Sequence, residues 1–284
     1  MKDIVVFYHN NCTDGFGGAY VAWKKFKNKA EYLGVEHQLP PPKVKNKNII
    51  FIDFCYPSEI LKELKSQNKS ILVLDHHISA KEYLKEADEY VFDDNHSGAI
   101  IAWNYFFNKK EIPIILKYIE DFDLWKFKLK NSKEIFAALS LFPYDFKVWD
   151  NLFKNFKKEE FKKEFIKKGK VILEYQNYLI QKLILRARVV FFENQKVLAL
   201  NSPILASELG NKLASINPPF ALVWSLVGER VIVSLRSVGD FDVSVLAQKY
   251  GGGGHKNAAG FSFDLKNGFP WKETNEKINF YERK

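Results

Sequence analysis

The chain has 284 residues, 46% of them apolar, with 25 Phe, 13 Tyr and 6 Trp, enough for one large core or two ordinary ones. Its two cysteines argue against a secreted disulfide scaffold, no apolar run approaches the roughly 20 residues of a spanning helix, and the chain opens directly into a strand pattern with no signal-peptide segment, so a soluble, cytoplasmic protein without membrane contacts is expected. The formal charge of +9 favours an anionic partner, although a Lys-rich, AT-biased genome yields the same balance.

Residues 4–8 are branched or aromatic and read as a buried strand. They run into His9 and, after a short loop, Asp14. The stretch between Asn10 and Gly18 is rich in glycine and reads as a tight turn leading into a helix from Ala19 to Phe26. Its glycines would let backbone approach a ligand closely, and a helix N-terminus favours anions. It is not a Walker loop, because the Lys-Ser/Thr ending is missing. Residues 40–42 are all proline and mark a loop. Residues 49–52 repeat the strand design and end in Asp53, and Pro57 then opens a helix with an apolar stripe of Ile60, Leu61 and Leu64. Residues 71–74 form a third apolar run that delivers Asp75, His76 and His77.

This strand–helix–strand alternation is the α/β signature, and in open α/β sheets sites form beyond the carboxyl ends of the strands. One carboxylate at a strand end is an ordinary cap. Three apolar strands that all end in hard-metal ligand types are not well explained by capping.

Residues 90–92 read as another short strand, Asp93 and Asp94 as a solvated loop, and Ser97 as the N-cap of a helix from Ala99 to Phe107. His96 could face the site. A helix over 112–119 runs into Glu120, Asp121, Phe122, Asp123, Leu124 and Trp125. Acidic residues at a helix C-terminus oppose the macrodipole, so a bound cation or plain solvent exposure must offset them. Residues 133–186 read as helical and heavily charged. The part from 158 to 186 would span roughly 43 Å as one helix at about 1.5 Å per residue, which suits a domain connector or a homodimer surface. From Val189 the periodicity changes to a hairpin, a helix near 205–215, a second hairpin about Gly228, a helix from Val243 to Tyr250, and then Gly251 to Gly254 and His255. The expected division is 1–157, a connector over 158–186, and 187–284, with the Lys/Asn-rich end as a loose tail. Helix and strand patterns flank the four glycines immediately, which argues against a flexible linker.

Asp75-His76-His77, taken with the run from Gly251 through His255 to Gly260, resembles the DHH phosphoesterase superfamily with its C-terminal DHHA1 domain. Asp14-Gly15, Asp53, Asp121 and Val233-Ser234-Leu235-Arg236-Ser237 match further motifs in the family's order, over nearly the whole chain. The Asn-Cys-x-Asp-Gly turn and the Asp-x-Asp-Leu-Trp motif look most like the nanoRNase and cyclic-nucleotide phosphodiesterase branch. The resemblance implies an α/β protein. Its N-terminal parallel-sheet domain would hold two manganese ions, and its smaller C-terminal α/β domain would grip substrate across a cleft. It implies Asp53 as a bridging metal ligand, Asp14, His76 and Asp121 completing one site, with the choice between Asp121 and Asp123 left open, and His9 belonging to the other. His77, with Asp75, would act at the scissile phosphate. Arg236, Ser237, Gly252, Gly253, Gly254 and His255 would bind substrate. Cys12 departs from the pattern, standing where many members have a carboxylate, and thiolate is a soft ligand that matches manganese poorly. Cys55 reads as a small buried thiol.

Carboxylates and imidazoles without paired thiolates suit manganese or magnesium better than structural zinc. Two such cations lower the pKa of a shared water and clamp phosphoryl oxygens. The expected activity is hydrolysis of short oligoribonucleotides or linear dinucleotides to mononucleotides. A bisphosphate-nucleotide phosphatase, a cyclic (di)nucleotide phosphodiesterase and a non-enzymatic nucleotide-binding regulator are the alternatives.

Overall fold

The structure, a computed structural model, describes residues 2–108 and 110–276. The chain divides into two compact units that part between Glu174 and Tyr175.

The first unit carries β1 (Ile4–His9), α1 (Thr13–Phe26), β2 (Ala30–Val35), β3 (Asn48–Ile52), α2 (Ser58–Gln67), β4 (Ser70–Asp75), β5 (Glu89–Phe92), α3 (Gly98–Phe107), α4 (Ile114–Asp123), α5 (Ser132–Leu139) and α6 (Phe146–Asn155). Among the described residues its strands form one sheet in the order β2-β1-β3-β4-β5, and every neighbouring pair is parallel. Both faces are covered, which is why the strands read as continuous apolar runs rather than alternating ones. Val6, Ile50, Ile52 and Leu74 pack on one side with α1, α3 and α4. Val5, Phe7, Ile49, Phe51, Ile71 and Val73 pack on the other with Leu61 and Leu64 of α2. With all strands parallel, their carboxyl ends share one edge.

The glycine-rich stretch is helix, not turn. α1 starts at Thr13, and Gly15, Gly17 and Gly18 lie inside it. A Cβ on Gly15 would sit 2.3 Å from the His9 carbonyl oxygen, and one on Gly18 2.3 Å from Ile52 Cγ2. The close approach these glycines permit is to the sheet, not to a ligand.

Residues 133–186 are helical in pieces. Asp145 starts α6 afresh by accepting from the N–H groups of Lys147 and Val148, both at 2.9 Å. α7 (Glu159–Leu183) is then 25 residues long and runs through the division between the units. Gly169 is buried in it, because a side chain there would run into the carbonyl of Glu134 in α5.

The second unit contains β6 (Arg188–Phe192), β7 (Gln195–Asn201), α8 (Ala206–Ile216), β8 (Phe220–Val227), β9 (Arg230–Ser237), α9 (Val243–Lys249), β10 (Gly253–His255), β11 (Ala258–Asp264) and β12 (Lys272–Glu273). Its sheet runs β10-β11-β9-β8-β7-β6-β12 among the described residues. The β7–β8 pair is parallel and the other pairs are antiparallel. Leu209, Leu213 and Ala214 of α8 cover one face, and Val243, Leu246 and Ala247 of α9 the other. β12 pairs with β6, so the expected loose tail is ordered at its start; residues 277–284 lie outside the described residues. No helix among the described residues is long and apolar enough to cross a membrane.

Candidate metal centre

The parallel order sets the ends of β1, β3 and β4 side by side, and with them His9, Asp53 and Asp75. Asp53 follows β3 with φ at +57°, a left-handed conformation uncommon for a residue with a side chain and characteristic of functional sites. Its Oδ1 lies 3.0 Å from His76 Nε2 and 3.8 Å from His77 Nδ1, and its Oδ2 lies 3.5 Å from His9 Nδ1. Asp75 is fully buried, and its Oδ1 accepts from the His76 and His77 backbone N–H groups at 2.7 and 3.2 Å. The same oxygen lies 2.7 Å from His77 Nδ1, so Asp75 fixes the orientation of His77.

Asp14 comes from the first turn of α1 and accepts from the Ala99 N–H at 3.2 and 3.3 Å. It therefore caps α3. Ser97, expected in that role, makes no side-chain cap bond; its N–H donates instead to Glu120, which also pairs with His96. Gly98 makes the arrangement fit, since a Cβ there would fall 2.6 Å from Asp53 Cβ and 3.0 Å from Asp14 Oδ2.

Asp121 is a correction. Its carboxylate oxygens accept from the N–H groups of Lys128 and Leu129 at 2.8 and 3.1 Å, and its carbonyl takes those of Lys126 and Phe127. It holds the turn after α4 and stands outside the ligand cluster. Asp123 takes the expected place, with Oδ2 3.6 Å from His76 Nε2. The helical period carries the signal. Asp123 lies four residues after Ile119 and seven after Leu116, which places all three on one face. That face packs against α1 at Gly17, the helix that bears Asp14.

The electrostatics follow from burying so many carboxylates together. Burial, with Asp53 and Asp123 nearby, pushes the Asp14 carboxyl well above the usual range. Burial also acts to raise Asp53, but His76 and His9 beside it hold it well below. Burial alone would lower His76, yet Asp53, Asp123 and Asp14 push it up to about 10. His77 is likewise raised against its burial by Asp75. Desolvation, reinforced by Asp53, Asp123 and Asp14, lifts the Cys12 thiol well above its ordinary value.

These residues fit a divalent metal. His9 Nδ1 and one oxygen each of Asp53, Asp75 and Asp123 are buried without a hydrogen-bond partner, an expensive state for groups of this kind. Donor atoms within 4.8 Å of one another come from Asp53, Asp75, His76 and His77; from His9, Cys12 and Asp53; and from Asp14, His76 and Asp123. Asp53 and His76 each belong to two of these sets, as residues shared by neighbouring cations would. Apart from Cys12 the donors are oxygen and imidazole nitrogen, which suits manganese or magnesium.

The expected substrate-binding residues all belong to the second unit. Ser237 is buried; its hydroxyl donates to the Phe241 carbonyl at 2.7 Å and accepts from Asn257 Nδ2 at 2.9 Å, so it ties a loop together. The N–H groups of Gly251 and Gly252 donate to the Gln248 and Ala247 carbonyls and close α9. Gly253 and His255 lie on β10, the strand at the sheet's edge, with Gly254 between them. Gly252 presses against β11, where a Cβ would meet the Gly260 carbonyl at 2.0 Å. Arg236 donates to Ser207 Oγ and the Leu235 carbonyl at 2.7 and 2.8 Å, which holds the guanidinium against α8.

A parallel sheet with carboxylates and imidazoles at its carboxyl edge, followed by a second α/β unit, defines a two-unit α/β protein with a candidate metal centre in its first unit. The model of the DHHA1 domain matches residues 179–278. An uncharacterised protein of Acanthamoeba polyphaga mimivirus is 36% identical over 300 residues, covering 96% of this chain and 70% of the relative. The oligoribonuclease NrnB of Bacillus subtilis is 25% identical over 294 residues, covering 90% and 72%. The solved DHH domain of a member of a ribosomal-protein family matches at a TM-score of 0.58 and 14% identity, covering 96% of this chain and 83% of that one. The chain belongs to the DHH/DHHA1 phosphoesterase superfamily.

Proposed function

We propose that this protein is a divalent-metal-dependent phosphodiesterase that hydrolyses short oligoribonucleotides or linear dinucleotides to mononucleotides, with manganese as its preferred ion. The observation that carries the reading is the convergence of Asp14, Asp53, Asp75, Asp123, His9, His76 and His77, with buried carboxylate oxygens left without partners. The likeness to NrnB over 90% of the chain supports the substrate class.

Asp14, Asp53, His76 and Asp123 would hold one cation, and Asp53 with His9 and Asp75 the other. Bound there, such ions supply Lewis-acid activation of water and neutralise phosphoryl charge. The chain's own residues do the rest. Asp75 fixes His77 through Nδ1, so the chemistry of His77 at the phosphate runs through Nε2. A proton held on that nitrogen would neutralise an oxygen on which charge grows. Cys12 stands beside the centre without being an essential ligand. In the second unit, Arg236 and His255 are the residues we assign to substrate binding.

A manganese-supplemented screen of linear diadenylate and diguanylate, cyclic dinucleotides, a bisphosphate nucleotide and an RNA length ladder tests the reading. Linear dinucleotides and RNAs of about two to five nucleotides should be cleaved about ten-fold faster in kcat/KM than long RNA. Rates that climb with length, or no turnover of either linear dinucleotide, would refute it.

A further inference from the structure

β2 leaves the parallel sheet at Val35, beside the end of β1. The Asn10 N–H donates to the Val35 carbonyl at 2.9 Å, and the side-chain amides of Asn10 and Asn11 donate to Glu36 Oε1 at 2.9 and 3.4 Å. Gly34 makes room for this, because a Cβ there would lie 2.6 Å from Asn10 Oδ1. The start of the loop after β2 is thus tied down, and its next residue is His37.

The imidazole of His37 stacks on Phe54 with ring centroids 4.5 Å apart and planes at 29°. Phe54 is fully buried and follows Asp53 directly. The His37 ring also lies 5.3 Å from the His9 ring and 6.3 Å from the His77 ring, edge-on to both. It is nevertheless exposed to solvent, and among the described residues it belongs to none of the ligand sets around the carboxylates. The centre therefore has at its rim an aromatic plane outside these ligand sets, backed on one face by a buried ring.

We infer that His37 is the stacking platform for a nucleobase flanking the scissile phosphate. The inference rests on the phosphodiesterase reading and narrows its substrate to one that carries a base at that position. An imidazole already seated on Phe54 and held by the Asn10–Glu36 tie loses little freedom when a second plane is laid on it. Bases of single-stranded nucleic acid stack on His as on other aromatic side chains, and with tolerance for sequence. At 6.3 Å from His77, the platform is within the span of one nucleotide.

The test compares the wild type with His37→Ala, His37→Phe and His37→Asn, each loaded with manganese. Substrates are 5′-phosphorylated diadenylate and its analogue with both bases replaced by hydrogen. His37→Ala should raise KM for diadenylate about ten-fold, within the range of one lost base–aromatic stack. His37→Phe should stay within about two-fold of the wild type, because stacking needs a plane and not a nitrogen, while His37→Asn should behave like alanine. All four proteins should act equally on the base-free analogue and bind manganese equally by calorimetry. A phenylalanine variant as poor as alanine, an alanine effect undiminished on the base-free analogue, or weakened manganese binding would each overturn the platform. If the wild type hydrolyses neither compound, the phosphodiesterase reading fails. Calorimetric binding of the two compounds to the same proteins then still decides the stacking, and absence of diadenylate binding overturns that too.

Discussion

Two glycine-rich stretches, one near each end of the chain, look alike as sequence and differ as structure. Gly15, Gly17 and Gly18 lie within α1; Gly15 and Gly18 let that helix press against His9 and Ile52, and Gly17 lets it meet Ala99 and Ile119, so that Asp14 arrives beside His76 and Asp123. Gly252 to Gly254 lie at a sheet edge, fitted against Gly260, Phe261 and Ala258 of β11. Both remove side chains where two backbones must meet. What the meeting accomplishes depends on what the neighbouring residues carry, namely a cluster of ligands in the first case and an edge strand bearing His255 in the second.

The comparison makes the two regions separable by mutation. Its reference is Asp53→Ala, which removes the carboxylate shared by two ligand sets and should reduce turnover at least 100-fold, about 2.7 kcal/mol of transition-state stabilisation. Retention of more than about a tenth of the wild-type rate, a loss under roughly 1.4 kcal/mol, would end its bridging role. Asp121→Asn should lower stability while leaving manganese binding in place, and Asp123→Asn the reverse; calorimetry paired with urea melts distinguishes them. Gly15→Ala forces a Cβ against the His9 carbonyl and should destabilise the first unit by about 3 kcal/mol, with weakened metal binding. Gly254→Ala strains a residue at φ +137° and should cost about 2 kcal/mol in the second unit. It should raise KM and leave manganese affinity untouched. If both alanine variants lose metal equally, the division of labour is wrong.

The pH response sharpens the same contrast, because Asp14, His76 and His77, all raised, lie in the first unit's cluster. In the metal-free protein His76 is pushed up to about 10 and Asp14 well above its ordinary value, and both must lose their protons to become ligands. Manganese affinity should therefore rise between pH 6 and 8 by about ten-fold per unit for each proton displaced. The raised His76 stabilises the metal-free fold fully below its unfolded value of about 6.5, and that contribution disappears as the pH climbs through about 10. A protonated Asp14 acts in the same direction. Urea melts with a chelator should show stability falling with pH across that window, and a flat profile would contradict the assignment. The smallest effect expected is at Cys12. Cys12→Ser should keep most activity, within about two-fold, and Cys12→Asp should tighten manganese by adding a hard ligand. Collapse of metal binding in the serine variant would make the thiol a ligand after all.

The order of elements and the strand-end residues His9, Asp53, Asp75 and His76 were legible because apolar runs that end in ionisable groups report a parallel sheet edge directly. The choice between Asp121 and Asp123 was harder, since both sit at a helix end and only the face shared with Leu116 and Ile119 separates them. The glycines misled because a requirement for closeness does not name what comes close. Gly98 and His37 were invisible for a different reason. Each acts through residues far along the chain, Gly98 on Asp53 and Asp14 and His37 on Phe54, and no local pattern encodes such a meeting.

The bond from the Ala99 amide to Asp14 joins the state of the centre to the integrity of a helix. If Asp14, which caps α3, also takes up a cation as proposed, the first turn of α3 is a built-in gauge of occupancy. Amide hydrogen exchange at Ala99 should slow when manganese is added, because an ionised Asp14 holds that N–H more firmly than a protonated one. The gauge reads filling of the centre without substrate or turnover, and exchange at β11, in the other unit, supplies the unmoving reference.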